Sequence, residues 1–151
     1  MTGLCEGRVV VVTGAGRGLG RAHALAFASE GATVIVNDIG VTLDGATSPD
    51  APADLVVAEI TSAGGVAAAN FDDIADWNGA RNLVASTVEK FGTVDVVVNN
   101  AGFLRDRMVA ALSEDEWDAV VRVHLKGHAA VTTHAAGYWR RRSKAGLPVD
   151  A

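Results

Sequence analysis

The segment Thr13-Gly14-Ala15-Gly16-Arg17-Gly18-Leu19-Gly20 places a glycine at every second position. It lies between an unbroken valine run, Val9 to Val12, and a stretch whose apolar residues recur at helical spacing. A glycine turn between strand and helix is where a backbone can approach a pyrophosphate, because the helix N-terminus presents N–H groups and the positive end of its dipole there. Gly14 and Gly18 would let the chain turn tightly, and Arg17, Leu19 and Gly20 complete the expected binding segment. An ordinary glycine-rich loop is the alternative, and the position between strand and helix disfavours it.

Asp38 follows the second apolar run directly, at the distance from the glycine turn where a carboxylate reaches the adenosine ribose hydroxyls. A carboxylate accepts hydrogen bonds from that diol and repels a 2′-phosphate, so the expected cofactor is NAD rather than NADP. Arg17 argues the other way, since a cation beside the turn could pair with the phosphate. A plain turn cap is the structural alternative for Asp38. Asn99-Asn100-Ala101-Gly102, after a later apolar run, would by itself read as a polar turn.

These residues need a scaffold, and the chain alternates strands and helices to supply one. Strands are expected over residues 9–12, 33–36, 67–71 and 94–98, the first all-apolar and the last apolar apart from Asp95, and so buried on both faces. Helices are expected over 19–30, with Leu19, Ala22, Leu25 and Ala26 facing the sheet, over 53–63 and over 76–91. Gly31, Gly64 and Gly92 stand where these helices should stop. Ser113 with Glu116 forms a capping box, and Trp117, Val120, Val121, His124 and His128 continue at helical spacing to about residue 139. Arg140, Arg141, Arg142 and Lys144 would then complement the negative end of that helix. Such alternation implies a three-layer α/β fold, a doubly wound parallel sheet with strand order 3-2-1-4. Residues 40–52, rich in Gly, Thr, Ser, Pro and Asp, read as an exposed loop within one domain spanning 1–151.

Composition narrows the function classes. With 49% hydrophobic residues the chain can bury one substantial core. A formal net charge of −5 argues against nucleic acid or an anionic membrane as the main partner. Cys5 is the only cysteine, so no internal disulfide can form; with no targeting segment visible, a reducing, cytoplasmic setting is expected.

Together, the T-G-x-x-x-G-x-G spacing of Thr13 to Gly20 and the Asn99-Asn100-Ala101-Gly102 motif resemble the short-chain dehydrogenase/reductase family. The resemblance covers nearly the whole chain, since Asp38, Asp73 and the helix capped by Ser113 also match. Within the family, Val36-Asn37-Asp38-Ile39-Gly40, Phe103-Leu104-Arg105-Asp106-Arg107 and Val123-His124-Leu125-Lys126-Gly127 are most similar to the dehydrogenase domains of the peroxisomal multifunctional enzyme type 2 group and its bacterial relatives. Those act on (3R)-hydroxyacyl-CoA thioesters. The resemblance implies a Rossmann-type fold and assigns roles. Asp73 would accept from the adenine amino group with the Ile74 backbone nearby, Asn100, Ala101 and Gly102 would lie along the cofactor ribose, and Asn99 would tie the fourth strand to its neighbours.

It also implies a gap. His124 occupies the position of the family's relay asparagine, as it does in the group named above, although a histidine on an apolar helical face is more often a satisfied core residue. His124 and His128 at four-residue spacing raise the idea of a metal pair, but no third ligand or H-E-x-x-H pattern accompanies them. The family's catalytic serine and Tyr-x-x-x-Lys are expected beyond residue 151. Tyr138, the only tyrosine, has Arg142 four residues on, and Ser143 belongs to a charged, solvated helix end. The expected function is therefore the NAD-binding half of an oxidoreductase acting on a secondary alcohol, lacking its own acid/base group and either shortened or completed by a second polypeptide. A homo-oligomer is expected, because the sheet is left with an open edge. The rival is a non-catalytic dinucleotide-binding or interaction module; a methyltransferase-like fold is disfavoured by the 99–102 motif.

Overall fold

The computed structural model describes residues 3–41 and 50–149; of the loop expected over 40–52, residues 42–49 lie outside the described residues. Four strands, β1 (Val9–Thr13), β2 (Thr33–Asn37), β3 (Val66–Asn70) and β4 (Val96–Val98), form one parallel sheet in the order β3-β2-β1-β4. The expected strand order is the observed one. Register sets Val11 beside both Ile35 and Val97, so the central strand is covered on both edges.

Strand side chains alternate between faces, and two apolar clusters result. Val9, Val11 and Ile35 pack with Leu83 and Val84 of α3 (Trp77–Phe91) and with Ala130, Val131 and Ala135 of α5 (His128–Lys144). Val10, Val12, Val34 and Val36 pack on the other face with Ala24 of α1 (Gly18–Ser29) and with Val56 and Ile60 of α2 (Pro52–Ser62). Each fully buried valine contributes roughly 1.5–3 kcal/mol of hydrophobic stabilisation. The sheet is thus the middle layer of three.

Helix ends follow local chemistry. Asp76 caps α3 by accepting the Gly79 N–H at 2.8 Å, and Gly92 ends it in the left-handed region. Ser113 and Glu116 form the expected reciprocal box at the start of α4 (Glu114–Val121). The Ser113 backbone N–H, then its hydroxyl and Arg107, hold the Glu116 carboxyl below the usual glutamate range.

Four expectations need correcting. The helix from Ser113 is not continuous: a π-helical segment, Arg122–Gly127, separates α4 from α5, and α5 runs on to Lys144 so that Arg141, Arg142 and Lys144 form its last turn. β4 is shorter than 94–98 and only half-buried, because it has a single neighbour and Asp95 turns its carboxylate back to the Val9 N–H at 2.8 Å. β3 starts one residue earlier than expected and leaves Phe71 exposed. Leu19, Ala22 and Ala26 do not face the sheet: all three are exposed, because the buried face of α1 runs through Gly20 and Ala24. No helix among the described residues is long and apolar enough to cross a membrane.

Candidate functional site

The C-terminal ends of the strands are where an open α/β sheet leaves a crevice, and the marked residues gather there. Gly14 and Gly18 both have positive φ, 61° and 52°, which is the turn their types were expected to permit. At Gly20 a β-carbon would collide with the Gly14 carbonyl and with the Asn100 amide, so α1 sits against the turn only because that residue has no side chain. Arg17, at the N-cap of α1, makes no side-chain cap bond, and the first turn carries no acidic residue. A helix N-terminus without cap or acid suits an anion.

Asp38 lies beside this turn. Its Oδ2 accepts the Gly16 N–H at 3.0 Å and its Oδ1 accepts the Gly40 N–H at 2.9 Å, so the carboxylate braces the glycine loop as well as capping its own turn. Each oxygen keeps acceptor capacity beyond these bonds. The Arg17 guanidinium donates to the Val41 carbonyl at 3.1 Å.

At the end of β3, Asp73 accepts the Ala75 N–H at 2.8 Å and pairs with Arg122 at 2.6 Å. Ile74 is buried, its side chain against Gly127 of the π-helical segment. Arg122 carried no signal in the sequence; only the π-helical segment brings it to this loop.

After β4 the expected tie to the neighbouring strand is made by Asn100 and not by Asn99. Asn100 is the one that ties the strand to its neighbours: its Nδ2 donates to the carbonyls of Thr13 at 2.9 Å and Gly14 at 3.1 Å. Asn99 instead donates to Thr132 Oγ1 of α5 at 3.0 Å, and its Oδ1 is buried without a hydrogen-bond partner. The backbone N–H groups of Asn100 and Ala101 both donate to Thr13 Oγ1, at 3.0 and 3.1 Å. A β-carbon at Gly14 would stand 2.7 Å from the Ala101 Cα, so this loop and the glycine turn touch.

His124 is exposed, not a core residue, because the π-helical segment turns it toward the loop after β4. Its ring lies against Gly102, where any β-carbon would strike it. Its Nε2 stands 3.0 Å from the Phe103 N and 2.9 Å from the Phe103 carbonyl oxygen, accepting from the first or donating to the second according to its tautomer. Among the described residues no third His, Cys, Asp or Glu joins it and His128 in a group that could hold a metal.

The C-terminal end of the sheet thus collects Gly14 to Gly20, Asp38, Asp73 and Asn100 to Gly102, and comparison with known proteins gives the chain a family. Residues 8–147 match the family described as short chain dehydrogenase. The chain belongs to that family. This short-chain dehydrogenase chain is 49% identical over 138 residues to mouse peroxisomal multifunctional enzyme type 2, covering 91% of the chain and 18% of that protein. It is 49% identical over 139 residues to a hydroxyacyl-CoA dehydrogenase of Mycobacterium tuberculosis, covering 92% of the chain and 42% of that protein. A crystal structure of a short chain dehydrogenase from Mycobacterium avium superposes with a TM-score of 0.92 at 61% identity, over 99% of this chain and 53% of that one. The chain therefore spans less than half of either relative and about half of the solved chain.

Tyr138 stands apart from the crevice. Its hydroxyl faces the Gly92 carbonyl at 3.4 Å, before β4 begins, and Arg142 donates to it at 3.3 Å. That is the opposite edge of the sheet. Ser143 is exposed on the last turn of α5. Sequence reasoning also passed over Asn37, which is buried and donates to Asn70 Oδ1 at 2.7 Å and to the Asp72 carbonyl at 2.9 Å. Its signal was available: a polar residue closing an apolar strand.

Proposed function

We propose that residues 1–151 form the NAD-binding half of an oxidoreductase that moves a hydride between NAD and a secondary alcohol of the 3-hydroxyacyl thioester class. The observation that carries this reading is the uncapped, acid-free start of α1 set between Asp38 on one side and Asn100-Ala101 on the other. In it, the backbone from Gly14 to Gly20, with Arg17 and Leu19 at the helix start, holds the pyrophosphate. Asp38 holds the adenosine ribose, Asp73 and the Ile74 backbone meet the adenine, and Asn100, Ala101 and Gly102 line the other ribose. The bound nicotinamide would supply hydride acceptance and donation. Membership of the family supports a nicotinamide dinucleotide, and the Asp38 carboxylate favours NAD over NADP. The thioester class rests on the relative named as a hydroxyacyl-CoA dehydrogenase.

Alcohol oxidation also needs a base for the hydroxyl proton. Tyr138 lies at the wrong edge of the sheet, and His124 is engaged with Phe103, so the acid/base group comes from outside these residues. The distance of Tyr138 from the crevice equally favours a second reading, a dinucleotide-binding module without turnover. We further propose a homo-oligomer and, from the lone Cys5, a reducing compartment such as the cytoplasm.

Calorimetric titration with NAD and NADP tests the cofactor reading. Wild type should bind NAD more tightly, and Asp38→Ala should weaken NAD by about tenfold, the worth of a charge-assisted hydrogen bond, with NADP equal or improved. Tighter binding of NADP by wild type would show that Arg17 dominates.

A further inference from the structure

The backbone of Ala101 is held from two sides. Its N–H donates to Thr13 Oγ1 at 3.1 Å, and its carbonyl lies 2.8 Å from Nε2 of His128. A carbonyl oxygen can only accept, so Nε2 carries the proton in this contact. His128 is the first residue of α5, directly after the π-helical segment, and it is partly buried behind His124, the two ring centroids lying 6.1 Å apart. π-Helical turns within α-helices recur at functional sites. Here Arg122, His124 and His128 reach in turn to Asp73, Phe103 and Ala101.

Sheet order decides which part of a dinucleotide this peptide would face. Asp38 follows β2, the glycine turn follows β1, and Ala101 follows β4, on the far side of β1 from β2. With the adenosine at Asp38 and the pyrophosphate at the turn, the nicotinamide half falls beside Ala101. On that reading of the crevice, we propose that His128 is a positioning residue for the nicotinamide half of the cofactor, acting through the Ala101 carbonyl. It touches neither cofactor nor substrate. It fixes the wall that Gly14 contacts, where a free 101–102 peptide would otherwise reorient.

The test is calorimetric titration of the 151-residue chain with NAD and, separately, with ADP, which occupies only the adenosine and pyrophosphate positions. His128→Leu should weaken NAD by roughly fivefold, the order of one neutral hydrogen bond, and leave ADP within about twofold of wild type. His128→Gln, whose amide can donate at similar reach, should recover most of the NAD affinity, and the shorter His128→Asn should not. Melting curves for each variant separate this from loss of fold; should the leucine variant not fold, the Gln and Asn pair decides the matter. Equal losses for NAD and ADP, unchanged NAD binding in His128→Leu, or Gln and Asn behaving alike would overturn the proposal. A wild-type chain that binds neither NAD nor ADP would overturn the dinucleotide reading itself, and this proposal with it.

Discussion

Thr13→Val removes one oxygen from the junction of the glycine turn and the loop after β4. The Thr13 hydroxyl is fully buried, accepts from Asn100 N–H at 3.0 Å and Ala101 N–H at 3.1 Å, and donates to the Val98 carbonyl at 3.3 Å. Valine keeps the β-branched shape, so backbone and rotamer preferences change little. The Ala101 N–H left facing a methyl group costs about 1–3 kcal/mol, and the Asn100 N–H, which also donates to the Val98 carbonyl at 3.1 Å, loses less; with both only partly buried, the pair costs about 2 kcal/mol. The added methyl returns up to ~0.8 kcal/mol through burial, leaving a net loss of about 1–2 kcal/mol. For a chain of this size that lowers Tm by roughly 3–8 °C. Circular dichroism melting would read it, and amide hydrogen exchange would locate it: Asn100 and Ala101 should exchange faster in Thr13→Val and stay protected in Thr13→Ser. A valine variant that melts within about 1 °C of wild type with both amides still protected would refute the reasoning.

Three further outcomes are expected. NADH absorbance should not rise when the 151-residue chain is held with NAD and a 3-hydroxyacyl thioester, since positioned acid/base catalysis is worth about 100- to 10,000-fold and the function proposed above takes that group from outside these residues; turnover that vanishes in His124→Ala would make His124 the base. The chain should self-associate in sedimentation experiments, because β4 has one neighbour and Trp117 and Leu125 are 59% and 69% exposed; a monomer over a wide concentration range would count against this. Glu116 titrates below the usual range in the folded chain, so its contribution to the start of α4 is present above the ordinary glutamate range and lost as pH falls through its lowered pKa. The protection of the Glu116 amide, taken relative to its intrinsic exchange rate at each pH, should therefore fall in acid for wild type, and Glu116→Gln should remove that dependence.

The strands and most helices were legible because their signals are local. Val9 to Val12 and Val34 to Val36 lack polar alternation and must be buried on both faces, and Gly31, Gly64 and Gly92 do adopt the left-handed conformations that stop helices. The glycine turn was legible for the same reason, since strand, turn and helix are contiguous. What escaped were features set by tertiary approach. Leu19 fits helical spacing, yet the helix meets the sheet through Gly20 instead. The π-helical segment inserts a wide turn into a run with no Pro or Gly pair to mark it, and that turn sets Arg122 on Asp73 and His124 outside the core. Asn99 and Asn100 are adjacent and alike in type, so only the pleat decides which of them turns toward Thr13.

A single grammar underlies the crevice: each apolar strand ends on a small polar residue at the edge where a ligand would lie. Thr13 closes β1, Asn37 closes β2, Asn70 closes β3, and Asn99-Asn100 follow β4. These residues pair with one another across the strands. Asn37 donates to Asn70, Asn70 donates to Asp72 at 2.8 Å, and the Thr13 hydroxyl is shared between β4 and the loop beyond it. Burying such groups without partners would cost several kcal/mol in all, and pairing them laterally removes that cost while fixing the strand ends relative to one another. Strand ends tied laterally in this way set the spacing of Asp38, the glycine turn and Ala101. The polar edge therefore does two jobs with the same atoms: it satisfies the last buried donors of the sheet, and it pre-sets the surface that a dinucleotide would meet.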